Sequence, residues 1–344
     1  MKREKINIYV IAKEAGVSPA TVSRVLTKNA KVSKEKEEKV NKLIEKYAFK
    51  PNANARNLLK DETRTIGVLL PDIRNPFHAT LAVACEVAAN NMGYTLILFN
   101  YLGDNQLEEE KLEIMLERRV DAIVQIGGKV DELISDEDYA EKINCIMENI
   151  PIVITGKLDG ADCYQVNIDE GQSIELAMEY LVELGHVDIM LAGGRKDVKS
   201  THDKRIRFRQ MLRRYKIEFS ENMIVESIYY DVNGGYECVN KILSERDKLP
   251  TAIIAVNDFT ALGIVKALNK FGLKVPEDIS VVSFDNTYIA EMGNPRLTSV
   301  GYDYEQWGET IVKTIVAAIR GESPAITQLI RSELTIRESC RSIL

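Results

Sequence analysis

Residues 10–26 read VIAKEAGVSPATVSRVL. Ile8, Ile11, Ala12 and Ala15 stand at the i, i+3, i+4, i+7 spacing of one helix face. Gly16 then offers a left-handed terminator, which a glycine adopts without steric cost. Ser18 can cap a second helix, and Pro19 suits its first turn, where a missing N–H costs nothing. Val22, Val25 and Leu26 face inward. A third helix is expected from Ser33, with Val40, Leu43, Ile44 and Tyr47 as its buried stripe. Two short helices joined by a tight turn, with a third behind them, describe a helix-turn-helix unit. The outward face of the second helix holds Pro19, Ala20, Thr21, Ser23 and Arg24. Small side chains let backbone and hydroxyls approach phosphates, and Arg24 is long enough to reach a guanine edge in the major groove. A plain three-helix bundle with a solvated face fits the same pattern.

Charge separates the two readings. Residues 1–60 carry 15 Lys+Arg and 6 Asp+Glu, a net of +9, and the remaining residues carry 30 and 46, a net of −16. A basic head on an acidic body suits a polyanion partner at the head. A chain of 344 residues holds two or three domains at about 150 residues each. No apolar run reaches the length of a membrane helix, and the N-terminus lacks the apolar core of a signal peptide, so a cytoplasmic protein is expected. Cys85, Cys145, Cys163, Cys238 and Cys340 form no CxxC pair and argue against a disulfide framework. His78, His186 and His202 are far apart, and no metal site or cofactor is expected.

Beyond the head, Pro51–Lys60 reads PNANARNLLK. Asn52 could cap a helix of about eight residues, too short to be stable alone in water. On pattern alone a plain linker, with Leu58 and Leu59 packed on the core, is the better reading. From Thr65 the chain alternates apolar runs with helical stretches. The runs are TIGVLL, YTLILF, DAIVQI, PIVITG, DIMLAG, TAIIAV and ISVVSF. Buried parallel strands have this character, and their number calls for two doubly wound lobes. Ligands of such lobes bind at the carboxyl ends of the strands. The candidates there are Asp72, Asn75, Phe77 and His78 after the first run, Tyr230 after ESIY, Asn257 and Asp258 after TAIIAV, and Asp285 and Asn286 after ISVVSF. Aromatic faces beside Asn and Asp suit a polyhydroxylated ring. Asn257 or Asp285 could instead cap a helix, and Phe77 could be core.

GVSPATVSRVL and KVSKEKEEKVNKLIEKYAFKPNANARNLL resemble the DNA-binding head and hinge of the lactose-repressor/galactose-repressor family of bacterial transcription regulators. The resemblance continues through TRTIGVLLPDIRNPF, RRVDAIV, LGH, NDFTALGIVKAL, GLKVPEDISVVSFDN, PRLTSV and RESC, nearly the whole chain. It implies a helix-turn-helix head at 1–50, a hinge at 51–63 and an effector-binding, dimerising body at 64–344. The body would have the periplasmic-binding-protein fold, with an N-lobe of 64–164 and 297–327 and a C-lobe of 165–296 and 328–338. By the resemblance Pro19 and Ala20 select the operator, and Ser18, Thr21 and Ser23, with Tyr9 and Asn29, meet phosphates. Paired hinge helices then enter the minor groove, with Leu58 as the wedge and Ala55 permitting close approach. Tyr230 takes the ring-stacking position, and Asn257 and Asp285 the polar contacts. Val10 departs from the family's usual acidic residue. In DKRIRFRQML, Lys204 fills an arginine position and Arg207 replaces a glycine; Arg205 substitutes if the register shifts by one. Lysine is a point charge, not a bidentate fork. The GGR at 193–195 is a weak phosphate-loop signal and more often a tight turn.

The expected function is therefore a dimeric repressor on a palindromic operator, controlled by a sugar or sugar phosphate between the lobes. The alternative within the family is a catabolite-type regulator controlled by a partner protein docking on the body. A sugar-binding transport protein would share the body but leaves the basic head unexplained. No Walker loop, nucleophile elbow or HExxH is present, so no enzymatic activity is expected.

Overall fold

The computed structural model describes residues 6–27, 32–47, 49, 62–246 and 248–344. The positions assigned to Asn29, Asn52, Ala55 and Leu58 lie outside the described residues. The chain divides into two compact units, Met1–Thr63 and Arg64–Leu344.

The first unit is helical. Helix α1 spans Ile8–Ala15, α2 Pro19–Thr27 and α3 Lys34–Lys46. The Asn7 side chain caps α1 by accepting from the N–H groups of Tyr9 and Val10, at 3.0 and 3.1 Å. Gly16 ends the helix at φ 67°, and the turn closes with Val17 N–H on the Ala12 carbonyl at 3.0 Å. Ser18 Oγ accepts from Thr21 N–H at 3.2 Å, the capping role its sequence position suggests. Ile11, Ala12, Val22, Val25 and Val40 form the core, with Leu26, Leu43 and Ile44 packed around it. Tyr47 differs from the expected stripe. It is half-buried, and its hydroxyl donates to Glu14 at 2.6 Å, because a tyrosine at a domain edge keeps its polar end wet.

The second unit holds two six-stranded sheets. Strands are β1 Thr65–Leu70, β2 Thr95–Asn100, β3 Ala122–Ile126, β4 Ile152–Thr155, β5 Tyr164–Ile168 and β6 Ile189–Ala192. They continue as β7 Ile224–Val225, β8 Ala252–Ala255, β9 Ser280–Asp285, β10 Thr298–Tyr302, β11 Thr327–Ile330 and β12 Ser332–Thr335. The first sheet runs β11-β5-β4-β3-β1-β2 and the second β12-β10-β9-β8-β6-β7. All pairings are parallel except β10 with β12. Helices cover both faces, as a parallel sheet requires. They are α4 Pro76–Asn91, α5 Asn105–Glu117, α6 Glu137–Met147, α7 Glu170–Glu183, α8 Lys199–Arg214, α9 Val232–Glu245, α10 Asp258–Lys270, the short α11 Tyr288–Met292 and α12 Tyr304–Ile319.

The seven apolar runs are β1, β2, β3, β4, β6, β8 and β9. The chain changes lobe after Ile168, after Tyr302 and after Ile330, each a few residues beyond the expected 164, 296 and 328. The shift has a pairing cause. β5 lies beside β4 in the first sheet, β10 beside β9 in the second, and β11 beside β5 in the first. Trp307 fastens the second crossing. Its ring N–H donates across to the Val166 carbonyl of β5 at 3.0 Å.

Candidate functional site

Two regions carry chemistry. In the first unit, Pro19, Ala20 and Arg24 are exposed on α2, and Thr21 and Ser23 are half-buried beside them. Ser18 Oγ and Thr21 Oγ1 share a hydrogen bond at 3.0 Å, which leaves hydroxyl lone pairs at the start of the helix. Tyr9 projects from α1, 69% exposed. A helix N-terminus that presents hydroxyls and one long guanidinium has the groups that can meet a phosphate backbone and a base edge.

In the second unit, loops at the carboxyl ends of the strands face each other across the two sheets. Asn75 caps α4, accepting from Phe77 N–H at 3.1 Å. The Phe77 ring packs edge-on against His78, Tyr304 and Trp307, with centroids 5.4, 6.1 and 5.7 Å away, so it serves the first-lobe core as much as the cleft. His78 Nδ1 lies 3.0 Å from the Asp72 carbonyl, and burial lowers its pKa, which favours the neutral ring.

On the other lobe, Tyr230 directs its hydroxyl to Thr201 Oγ1 at 2.8 Å and accepts from Arg195 N–H at 3.1 Å. It thereby fixes the Gly193–Gly194 turn, whose residues sit at φ 102° and 74°. Asn257 resolves as a cap. Its Oδ1 accepts from Thr260 N–H at 2.8 Å, and its Nδ2 donates to the Tyr230 carbonyl at 3.1 Å. Both ends of this amide are committed, so it places Tyr230. Asp285 is no cap. It ends β9 at φ 90°, a strained angle for a residue with a Cβ. Burial and then the charge of Asp258 push its carboxyl well above the usual range.

Lys204 and Arg205 are both buried, at 7% and 8% exposure, but do different things. Lys204 pairs with Glu170, the first residue of α7, and lies over the Phe284 ring at 5.4 Å. Burial opposes its charge, yet Glu170 outweighs this and raises its pKa. Arg205 turns away to Glu226 at 2.8 Å and to the Gly194 carbonyl at 2.8 Å. The GGR segment is thus a tight turn closed by an arginine.

Three residues absent from the sequence candidates complete the cleft. Glu170 is one. The others are Asp131 after β3 and Ser200 on α8, which join the lobes: Ser200 N–H and Oγ donate to the Asp131 carboxylate at 3.0 and 2.7 Å. Leu133 N–H to the Asp197 carbonyl, at 2.9 Å, is a second tie. Asp131 and Ser200 are 69 residues apart, which no local spacing reveals. The usable signal was positional, since Asp131 and Glu170 also follow strands of the sheet.

A helix-turn-helix unit joined to a two-lobed, cleft-bearing body defines a DNA-binding regulator with a ligand-binding module. Residues 7–52 match the family model of bacterial regulatory proteins, lacI family, and residues 178–340 match that of the periplasmic binding protein-like domain. Catabolite control protein A of Staphylococcus epidermidis is 35% identical over 298 residues, 86% of this chain and 87% of that protein. The lac repressor dimer bound to operator and the anti-inducer ONPF superposes with a TM-score of 0.86 at 24% identity, covering 98% of this chain and 100% of that one. A LacI family transcriptional regulator from Enterococcus faecium, with bound ribose, gives 0.71 at 25% identity, covering 81% and 100%. The chain belongs to the lacI family of bacterial regulatory proteins.

Proposed function

We propose that this regulator acts in the cytoplasm as a homodimer on a two-fold symmetric operator, that a small carbohydrate held between its lobes sets its operator affinity, and that it catalyses no reaction. The exposed face of α2 carries the reading. Arg24 reads a base edge, Ala20 offers only apolar contact, and Tyr9, Ser18, Thr21 and Ser23, with Asn29, position the head on phosphates. Asn52, Ala55 and Leu58 act in the hinge, Leu58 as the wedge. Dimerisation is supported by an apolar face on the first lobe, where Val83 and Val87 of α4 are 58% and 55% exposed beside Leu98 of β2. Symmetric half-sites follow from a two-fold dimer. In the cleft, Asp285, Lys204 and the Tyr230 ring meet the ligand from one lobe, and Asn75, Phe77 and His78 line the other. Arg205 and Asn257 hold the turn and Tyr230 in place. The solved relatives that hold ribose or an anti-inducer support a small ligand.

The identity shared with catabolite control protein A favours a second reading, in which a partner protein docking on the body supplies the control. Fluorescence anisotropy on an operator selected from random duplex tests the DNA role. Affinity should fall steeply with salt, by about −0.9 in the log–log slope per neutralised phosphate. Arg24→Ala should cost about 1–3 kcal/mol of discrimination among operator variants. Equal affinity for operator and random duplex would refute the proposal, and unchanged discrimination in the variant would remove Arg24 from base reading.

A further inference from the structure

We propose that the ligand held between the lobes is an amino sugar, its ammonium seated against Glu170 and Asp285, and not a neutral sugar or a sugar phosphate. This rests on the reading that a carbohydrate binds there.

Four basic side chains of the cleft segments are already paired, two of them buried (Lys204 and Arg205) and two at the surface (Arg195 and Arg74). Lys204 pairs with Glu170, Arg205 with Glu226 at 2.8 Å, Arg195 with Asp197 at 2.9 Å and Arg74 with Asp72 at 2.6 Å. A phosphate seated on Lys204 would displace Glu170 and set its own charge among Glu170, Asp285 and Asp131.

The carboxylates are not equally served. Asp258 accepts from Ser283 Oγ at 2.6 Å, Ser299 Oγ at 2.7 Å, Thr287 N–H at 2.6 Å and Thr287 Oγ1 at 2.9 Å. Asp131 has both Ser200 donors. The Asp285 carboxylate receives no hydrogen bond among the described residues, although Asp258 and Glu170 add like charge to its surroundings and only Lys204 opposes them. The Tyr302 hydroxyl, on a residue only 9% exposed, makes no well-formed hydrogen bond, although Ser173 is near it, and Glu170 and Asp285 are the charges that act on it most. The Asp285 carboxyl thus has unused hydrogen-bonding capacity among more acidic than basic groups, and a donor bearing positive charge would let it ionise.

A carboxylate out of water without a counter-charge is costly. A sugar hydroxyl supplies one hydrogen and no charge, whereas an ammonium supplies three and a compensating charge. Glu170 thus sets specificity twice: it neutralises Lys204 against anions and offers its second oxygen to a cation.

The test uses the full chain at neutral pH. Calorimetric titration compares glucose, glucosamine and glucose 6-phosphate, and the galactose and mannose counterparts of each. In at least one series the amine form should bind about tenfold or more tightly than the other two, the factor expected of a charge-assisted hydrogen bond. Glu170→Gln should erase that preference and, by freeing Lys204, let the 6-phosphate bind. Asp285→Asn should weaken the amine by a similar factor, which gives a second route if one variant fails to fold. A neutral or phosphorylated sugar that binds as tightly as its amine, or a preference that survives in the variants, overturns the amine inference and leaves the carbohydrate reading standing. If no member of any series binds while the operator is still bound, both fall.

Discussion

Glu108 is fully buried on α5 and holds the loop that carries Asp131. Its Oε1 accepts from Gln125 Nε2 at 2.6 Å and from Lys129 N–H at 3.2 Å, and Gln125 in turn accepts from the Tyr139 hydroxyl at 2.9 Å. Burial pushes the Glu108 carboxyl up from 4.5 to about 7. The folded protein then binds this proton more tightly than the unfolded chain does. Its contribution to stability is fully present below the unfolded value, and is lost as pH rises through the folded one. A shift of this size corresponds to about 3 kcal/mol. Glu108→Gln preserves the shape and removes the titration. Urea unfolding at pH values spanning that window should show stability falling with pH in the native protein and a flatter profile in the variant. Parallel profiles would mean that Glu108 does not titrate there.

At the scale of elements, α9 and α10 touch backbone to backbone. A Cβ built on Gly263 would lie 2.2 Å from the Val232 carbonyl oxygen, and one on Gly235 2.3 Å from that of Thr260. Gly263→Ala must therefore push the helices apart, at about 1–3 kcal/mol for an overpacked core. The thermal transition of the body should drop, and an unchanged melting temperature would show that the helices have room to give. The sequence read the strongly apolar strands well, because large apolar residues in unbroken runs mark burial on both faces. It did not reveal the two-residue β7, nor β5, β10, β11 and β12, whose YQVNI, TSVGY, TQLI and SELT mix polar with apolar residues. The latter four close the sheets where the chain changes lobe, which is why the expected crossings fell short. In the head, the Gly16 turn and the Ser18 cap were legible, since capping and left-handed turns are local, whereas the Asn7 cap of α1 was not picked out. The cleft was legible only in part. Asn257 and Asp285 were placed at strand ends, but their roles depend on partners such as Tyr230 and Asp258, and Lys204 meets Glu170 across 34 residues.

At the scale of the whole molecule, control requires that the lobes have more than one arrangement. A ligand shifts such an equilibrium only by its differential affinity for the two states. The bonds from Ser200 to Asp131 belong to the arrangement in which the lobes are joined. A ligand that spans both lobes favours the same arrangement. Asp131→Ala deletes the tie, leaves the Ser200 N–H unserved and shifts the population towards separated lobes. Such a variant behaves as an effector of opposite sign. If the ligand weakens operator binding, Asp131→Ala should strengthen it, and if the ligand tightens binding, the variant should loosen it. The ligand's own affinity should fall in the variant, because the competent arrangement is rarer. Couplings of this kind are about 1–3 kcal/mol and reciprocal between the two sites. Operator titrations of both proteins, with and without the ligand found by calorimetry, measure all four corners of that cycle. A variant that moves operator affinity in the same direction as the ligand, or leaves both affinities unchanged, would show that control does not run through the joining of the lobes at Asp131.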